Sequence, residues 1–116
     1  MSLKNILIVV SDIERSKLFY RDLFGLQILR DFGENVILSE GLVLQEQKAW
    51  EQLIDSNTVT GNASELFFEE NDLDAFLLKS KEYEVNFLGD VRENAWGKRV
   101  VMLADPDGHI IEVAEA

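Results

Sequence analysis

Few side chains in this chain have the type and setting to do chemistry, and the clearest lies in Asp105-Pro106-Asp107-Gly108-His109-Ile110-Ile111-Glu112. Pro106 presets φ at the second position of a tight turn, and Gly108 accepts positive φ. Ile110, Ile111 and Val113 then read as strand. A carboxylate among such neighbours is costly to bury without a partner. Glu112 is therefore either a ligand or hydrogen-bonding group in a pocket, or a residue on a wetted face. Glu65 stands at the head of a second apolar run, Glu65-Leu66-Phe67-Phe68. Brought together, two such carboxylates can hold one proton between them and do acid–base work without a metal.

Composition narrows the alternatives. The chain has 116 residues, no cysteine and one histidine. Disulfides, thiolate nucleophiles and zinc–sulfur centres are excluded, and a catalytic triad or facial triad is hard to build. No Gly-rich loop joins a strand to a helix, so phosphate-loop binding has no support. The net charge of −11 repels a phosphate backbone and argues against nucleic acid; a neutral or cationic small molecule is easier to attract. No apolar run reaches the roughly 18 residues of a membrane span, and no signal peptide is evident. A cytoplasmic protein is expected.

These residues must be positioned by a repeated order of elements. Leu3 to Val10 reads as a strand buried on both faces. Ser11-Asp12-Ile13-Glu14 fits a capping box. Phe19, Tyr20, Leu23 and Phe24 follow at helical spacing, and Gly25 closes the helix. Strands are expected at Leu26 to Asp31, Asn35 to Ser39 and Leu42 to Glu46, with Gly33 and Gly41 at the turns. The order then returns. Glu65 to Glu70 is a strand, Asn71-Asp72 caps a helix with Leu73, Phe76, Leu77 and Tyr83 on one face, and β-runs fall at Val85 to Val91, Lys98 to Ala104 and His109 to Ala114. The fold class expected is α+β. It comprises one domain over 1–116, with one βαβββ module at about 1–46, a linker at 47–63 and a second module at about 64–116.

The repeat has a register. Stepping back equally from Asp12 and Asp72 reaches Asn5 and Glu65, and stepping forward equally from Gly41 and Gly108 reaches Gln45 and Glu112. Each half thus sets an oxygen-bearing side chain on its first and its fourth strand. Within the linker, Ala49 to Ile54 is expected as a short helix. The segment either covers a pocket mouth, packs against a partner subunit, or is plain linker with one docked tryptophan, Trp50. Asn57, Gly61 and Asn62 look like plain linker. Arg99 is read either as a bidentate partner for a ligand carboxylate or phosphate, or as a partner for the chain's own acids. Trp96 either stacks on a ligand or caps the core. Phe67, beside Glu65, and Leu7, beside Asn5, are candidate pocket walls. Strand alternation sets His109 on the face opposite Glu112, so it is read as a structural residue beside the turn.

Val9 to Ser16, Phe19 to Leu26, Asn71 to Asp74 and Asp105 to Glu112 together resemble the vicinal oxygen chelate superfamily of glyoxalases, bleomycin-resistance proteins and extradiol dioxygenases. The resemblance implies two βαβββ modules in a curved open sheet around a pocket. It also implies a divalent ion held from the first and last strands, here Asn5, Gln45, Glu65 and Glu112, and a homodimer. The family usually has His at the position of Asn5 and often at that of Glu65; only Glu112 keeps the usual identity. The four donors form an all-oxygen set suited to Mg²⁺, Mn²⁺ or Ca²⁺. The reading favoured over this has no metal, with Glu65 and Glu112 hydrogen-bonding a ligand. The implied function is a glyoxalase-like lyase or isomerase acting on a small carbonyl compound, with Glu112 and Glu65 as catalytic groups. The alternative is a non-catalytic drug-binding protein of the bleomycin-resistance type.

Overall fold

The computed structural model describes residues 2–54 and 65–116. The chain divides into two compact units, Met1–Thr60 and Gly61–Ala116, and each repeats the βαβββ order.

In the first unit, β1 (Ile6–Val10) leads into α1 (Ile13–Leu18), which continues as a widened π turn over Phe19–Leu23. Then come β2 (Ile28–Asp31), β3 (Asn35–Leu38) and β4 (Leu42–Glu46). The sheet order is β1-β4-β3-β2, with β1 and β4 parallel and the other pairs antiparallel. The helix begins where the Asp12 carboxylate accepts the Arg15 N–H at 3.1 Å. This is a simple aspartate cap one residue later than the box expected from Ser11 and Glu14. The helix ends at Gly25, whose φ is 74°; its N–H donates to Arg21 O and that of Leu26 to Tyr20 O, closing a left-handed terminus. Ile8, Val10, Val36, Leu38, Leu42 and Leu44 alternate onto one face of the sheet and are buried, together with Phe19, Tyr20 and Leu23 from the helical segment. β1 is shorter than expected and is not buried throughout: Ile6 and Leu7 are exposed because β1 is the sheet edge, with β4 its only neighbour.

In the second unit, β5 (Glu65–Glu70) leads into α3 (Leu73–Ser80), then β6 (Asn86–Phe87), β7 (Arg92–Glu93), β8 (Arg99–Ala104) and β9 (Ile110–Glu115). Asp72 caps α3 by accepting the Ala75 N–H at 3.0 Å. Leu73 and Phe76 are buried with Val101, Leu103, Ile111 and Val113. Tyr83 is half exposed, because the helix tightens into a 3₁₀ turn at Lys81–Tyr83 and carries it off the buried face. β5 and β9 are parallel, and β9 and β8 antiparallel.

The strand expected at Val85 to Val91 is broken. Asn86 pairs with Ala104 and Phe87 with Leu103, but Arg92 pairs with Val100 and Glu93 with Arg99. Four residues, 88–91, therefore stand against two, 101 and 102, as a double bulge that includes Gly89. The equivalent β2 of the first unit carries a smaller shift between Ile28 and Arg30.

The helix expected in the linker is α2 (Gln47–Ile54). The Glu46 carboxylate opens it, accepting the N–H of Lys48 and of Ala49. The linker features at Asn57, Gly61 and Asn62 lie outside the described residues. Among the described residues, no helix is long and apolar enough to cross a membrane.

Candidate functional site

Each sheet buries one face under its helix and leaves the other face more open. In the second unit, the alternation that buries Ile111 and Val113 sends Ile110, Glu112 and Ala114 to the opposite side. The register then builds a lateral row across three strands: Phe67 on β5 stands opposite Glu112 on β9, and Glu112 opposite Met102 on β8. Phe67 is 56% exposed, while Glu112 and Met102 are half-buried. Among the described residues, the Glu112 carboxylate makes no hydrogen bond and no ion pair. It is thus an acceptor held between an aromatic and a thioether, with its oxygens uncommitted. Glu65 shares this face two residues before Phe67, opposite Ile110, so the two carboxylates sit on adjacent strands with backbones roughly 8 Å apart. Glu65 is exposed and also unpaired among the described residues.

Met102 was not among the residues singled out from the sequence, although the signal was present. The Asp105–Gly108 turn sets the β8–β9 hairpin, and counting back from it places Met102 opposite Glu112. The turn is held by Asp105, which is 4% exposed and whose Oδ1 accepts the N–H of Asp107 and of His109 at 2.8 Å each. His109 thus serves the turn through its backbone.

The first unit places its two candidates differently. Gln45 is buried and lies opposite Val9, whereas Asn5 precedes β1 and is exposed. Four residues of strand, about 13 Å, separate Asn5 from Val9. Gln45 is also engaged: its Oε1 accepts Asn35 Nδ2 at 2.9 Å from the directly opposite position on β3. The alignment of Gln45 with Glu112 by counting from glycines is not kept by the strands. Glu112 stands opposite Phe67, two residues after Glu65; the residue opposite Leu7, two after Asn5, is Val43. Gln45 corresponds instead to Ala114. The offset is two residues: Leu42, opposite Ile6, stands one residue after Gly41, whereas Ile111, opposite Leu66, stands three after Gly108.

A family model described as a glyoxalase-like domain matches residues 3–116. The chain belongs to that family. It belongs with it to the vicinal oxygen chelate superfamily, as the sequence motifs implied. A protein of unknown function from Agrobacterium tumefaciens is similar at 38% identity, covering 100% of this chain and 94% of that one, with a TM-score of 0.86. Two more distant structures share the fold. One is a glyoxalase/bleomycin resistance protein/dioxygenase family enzyme from Burkholderia phytofirmans, at 19% identity, 99% and 98% coverage and TM-score 0.84. The other is a lactoylglutathione lyase from A. tumefaciens, at 22% identity, 99% and 93% coverage and TM-score 0.73.

Within this glyoxalase-like domain, the remaining sequence candidates divide clearly. Arg99 lies on the helix-covered side of its sheet. Its guanidinium clasps Asp74 with two bonds of 2.9 and 3.2 Å and also reaches Glu115 at 3.2 Å, which is the second of the two roles open to it. These bonds hold the carboxyls of Asp74 and Glu115 below their usual range; for Glu115 the Arg99 backbone N–H adds to the effect. Trp96 is 84% exposed at a hairpin tip where Asn94 Oδ1 accepts the N–H of Trp96 and of Lys98, so it does not cap a core. Trp50 is half-buried on α2. Leu7 is 41% exposed and shares its face with Val43 and Gln45.

A divalent ion needs several donors converging within a single coordination sphere. In the first unit, Asn5 and Gln45 are separated along the strand and Gln45 is bonded to Asn35. In the second, Glu65 and Glu69 lie on either side of Phe67 on the face of Glu112, each about 8 Å from it by backbone. Among the described residues, no three His, Asp or Glu side chains gather as such a set. Among the described residues, neither unit by itself supplies such a set.

Proposed function

We infer that this domain binds a small carbonyl compound and that Glu112 moves a proton on it, in the manner of a glyoxalase-like lyase or isomerase. The observation that carries this reading is the row Phe67–Glu112–Met102, in which a carboxylate without a partner among the described residues is flanked by apolar groups. A base must reach the proton it takes with an uncommitted oxygen. Glu112 has such oxygens, and its neighbours offer dispersion contacts to a flat or branched ligand rather than competing hydrogen bonds. Glu65 is placed to accept a hydrogen bond from a ligand hydroxyl on the same face. The step needs no metal, since the carboxylate itself takes the proton.

The test is proton exchange. Small 2-oxo acids, hydroxyketones and aldehydes are incubated with the protein in deuterated water, and loss of the C–H signal beside the carbonyl is followed by NMR. Exchange that disappears in Glu112→Gln, with the fold retained, supports the reading. Exchange unchanged in that variant, or absent for every compound, refutes it.

A second reading is favoured by the exposure of Phe67 and Trp96. Aromatic faces open to solvent suit a protein that sequesters planar compounds without altering them. Tryptophan quenching by a compound that is recovered unchanged, and that persists in Glu112→Gln, would establish this class instead.

A further inference from the structure

The double bulge between β6 and β7 has a consequence beyond the strand it interrupts. It opens a depression of about 310 Å³ lined by Leu88, Gly89, Asp90, Val91, Arg92 and Met102. That is room for about ten waters, or a ligand of about ten heavy atoms. Met102 is the neighbour of Glu112 in the lateral row, so the depression adjoins the open face on which the proposed chemistry rests. Its wall carries one acid and one guanidinium. Among the described residues, neither the Asp90 nor the Arg92 side chain makes an ion pair or hydrogen bond. This contrasts with Arg99, the other arginine of the same sheet, which clasps two carboxylates.

We propose that this depression is a binding site for a small zwitterion of the amino-acid type, with Arg92 taking the carboxylate, Asp90 the ammonium, and Leu88, Val91 and Met102 the apolar side chain. The charges select this class. A simple anion meets Asp90 and the repulsion of a chain of net charge −11, and a simple cation meets Arg92. A zwitterion carries no net charge, escapes the long-range repulsion, and satisfies both groups at once. The guanidinium fork suits a carboxylate in particular. The depression borders the face assigned above and takes a ligand of its own. The proposal rests on that reading only in taking this face as the binding face.

The experiment is titration of the isotopically labelled full chain with L-leucine, L-methionine and L-phenylalanine, read from backbone amide shifts. N-acetyl-L-phenylalanine, which lacks the ammonium, and L-phenylalaninamide, which lacks the carboxylate, serve as controls. Expected is saturable binding with shifts confined to residues 88–92 and around Met102. Affinity should fall about tenfold or more for either control, and similarly in Arg92→Gln and Asp90→Asn. Both positions are exposed, so these variants fold. No saturable shift up to about 10 mM, equal binding of the controls, or unchanged affinity in both variants overturns the proposal. Glu112→Gln separates the two readings. Zwitterion binding retained there, with no exchange activity in the parent protein, sinks only the catalytic reading. Exchange on neutral carbonyl compounds without zwitterion binding sinks only this one.

Discussion

The contact between Gln45 and Asn35 decides whether Gln45 belongs to the fold or to a ligand, and it can be measured. Gln45 is 6% exposed and its Oε1 accepts Asn35 Nδ2 at 2.9 Å across adjacent strands. A neutral side-chain hydrogen bond contributes about 0.5–1.5 kcal/mol net, and a buried group left without its partner costs about 1–3 kcal/mol. Asn35 is only half-buried and can partly rehydrate, so the lower half of that range applies. Gln45→Ala is expected to destabilise by about 1–2 kcal/mol, equivalent to roughly 4–8 °C in Tm for a chain of this size. Asn35→Ala is expected to cost about 1 kcal/mol, and the double variant less than the sum, with a coupling of about 0.5–1.5 kcal/mol. The assay is urea denaturation of all four proteins in a chelator, so that no ion contributes. A coupling within about 0.3 kcal/mol of zero, or Gln45→Ala as stable as the parent, would refute the structural assignment of Gln45.

Two further outcomes follow from the same geometry. The Asp74–Arg99–Glu115 cluster links stability to pH. Both carboxyls are held below their ordinary values of 3.8 and 4.5 by Arg99, so their contribution is present above those values and is lost as pH falls through the lowered ones. Urea midpoints measured from about pH 6 to 2 should therefore drop more steeply for the parent than for Arg99→Gln. Gly25→Ala tests the helix terminus: φ is 74° with no atom near the added Cβ, so the cost is backbone strain alone, about 1–2 kcal/mol, read as a lower urea midpoint with an unchanged slope.

Much of this architecture is legible from local signals. Asp12 and Asp72 announce both helices, Gly25 ends the first, and the Asp105–Gly108 turn sets its hairpin. Each is a device whose physics is contained within a few residues. Both βαβββ orders could be read because turn residues punctuate the strands. The errors arise where neighbours across the sheet decide. β1 looked buried on both faces because its composition is apolar, but an edge strand has one neighbour, and Ile6 and Leu7 remain exposed. The run from Val85 to Val91 looked like one strand, although Gly89 within it was a legible sign of a bulge. Arg99 could be read two ways from sequence, because its partner Asp74 lies 25 residues away.

The candidate site shows the same division and bears on what this branch of the family does. Residue types at Asn5, Gln45, Glu65 and Glu112 invite one symmetrical reading, four oxygen donors in equivalent places. The strand register breaks that symmetry. In the first unit the place equivalent to Glu112 holds Val43, which is buried, and Gln45 is bonded into its own sheet. In the second unit Glu65 and Glu112 share one face and have no partner among the described residues. The chemistry-bearing groups are therefore unequally divided: the first unit bonds Gln45 into its sheet, while the second keeps carboxylates without partners among the described residues, beside an apolar row and a bulged edge between β6 and β7. A symmetrical chelate would make substitutions in the two halves equally damaging to function. An unequal division predicts that Glu112→Gln and Arg92→Gln alter ligand chemistry while leaving stability within about 0.5 kcal/mol. Gln45→Ala should do the reverse, and measuring both quantities on the same three variants separates the two designs.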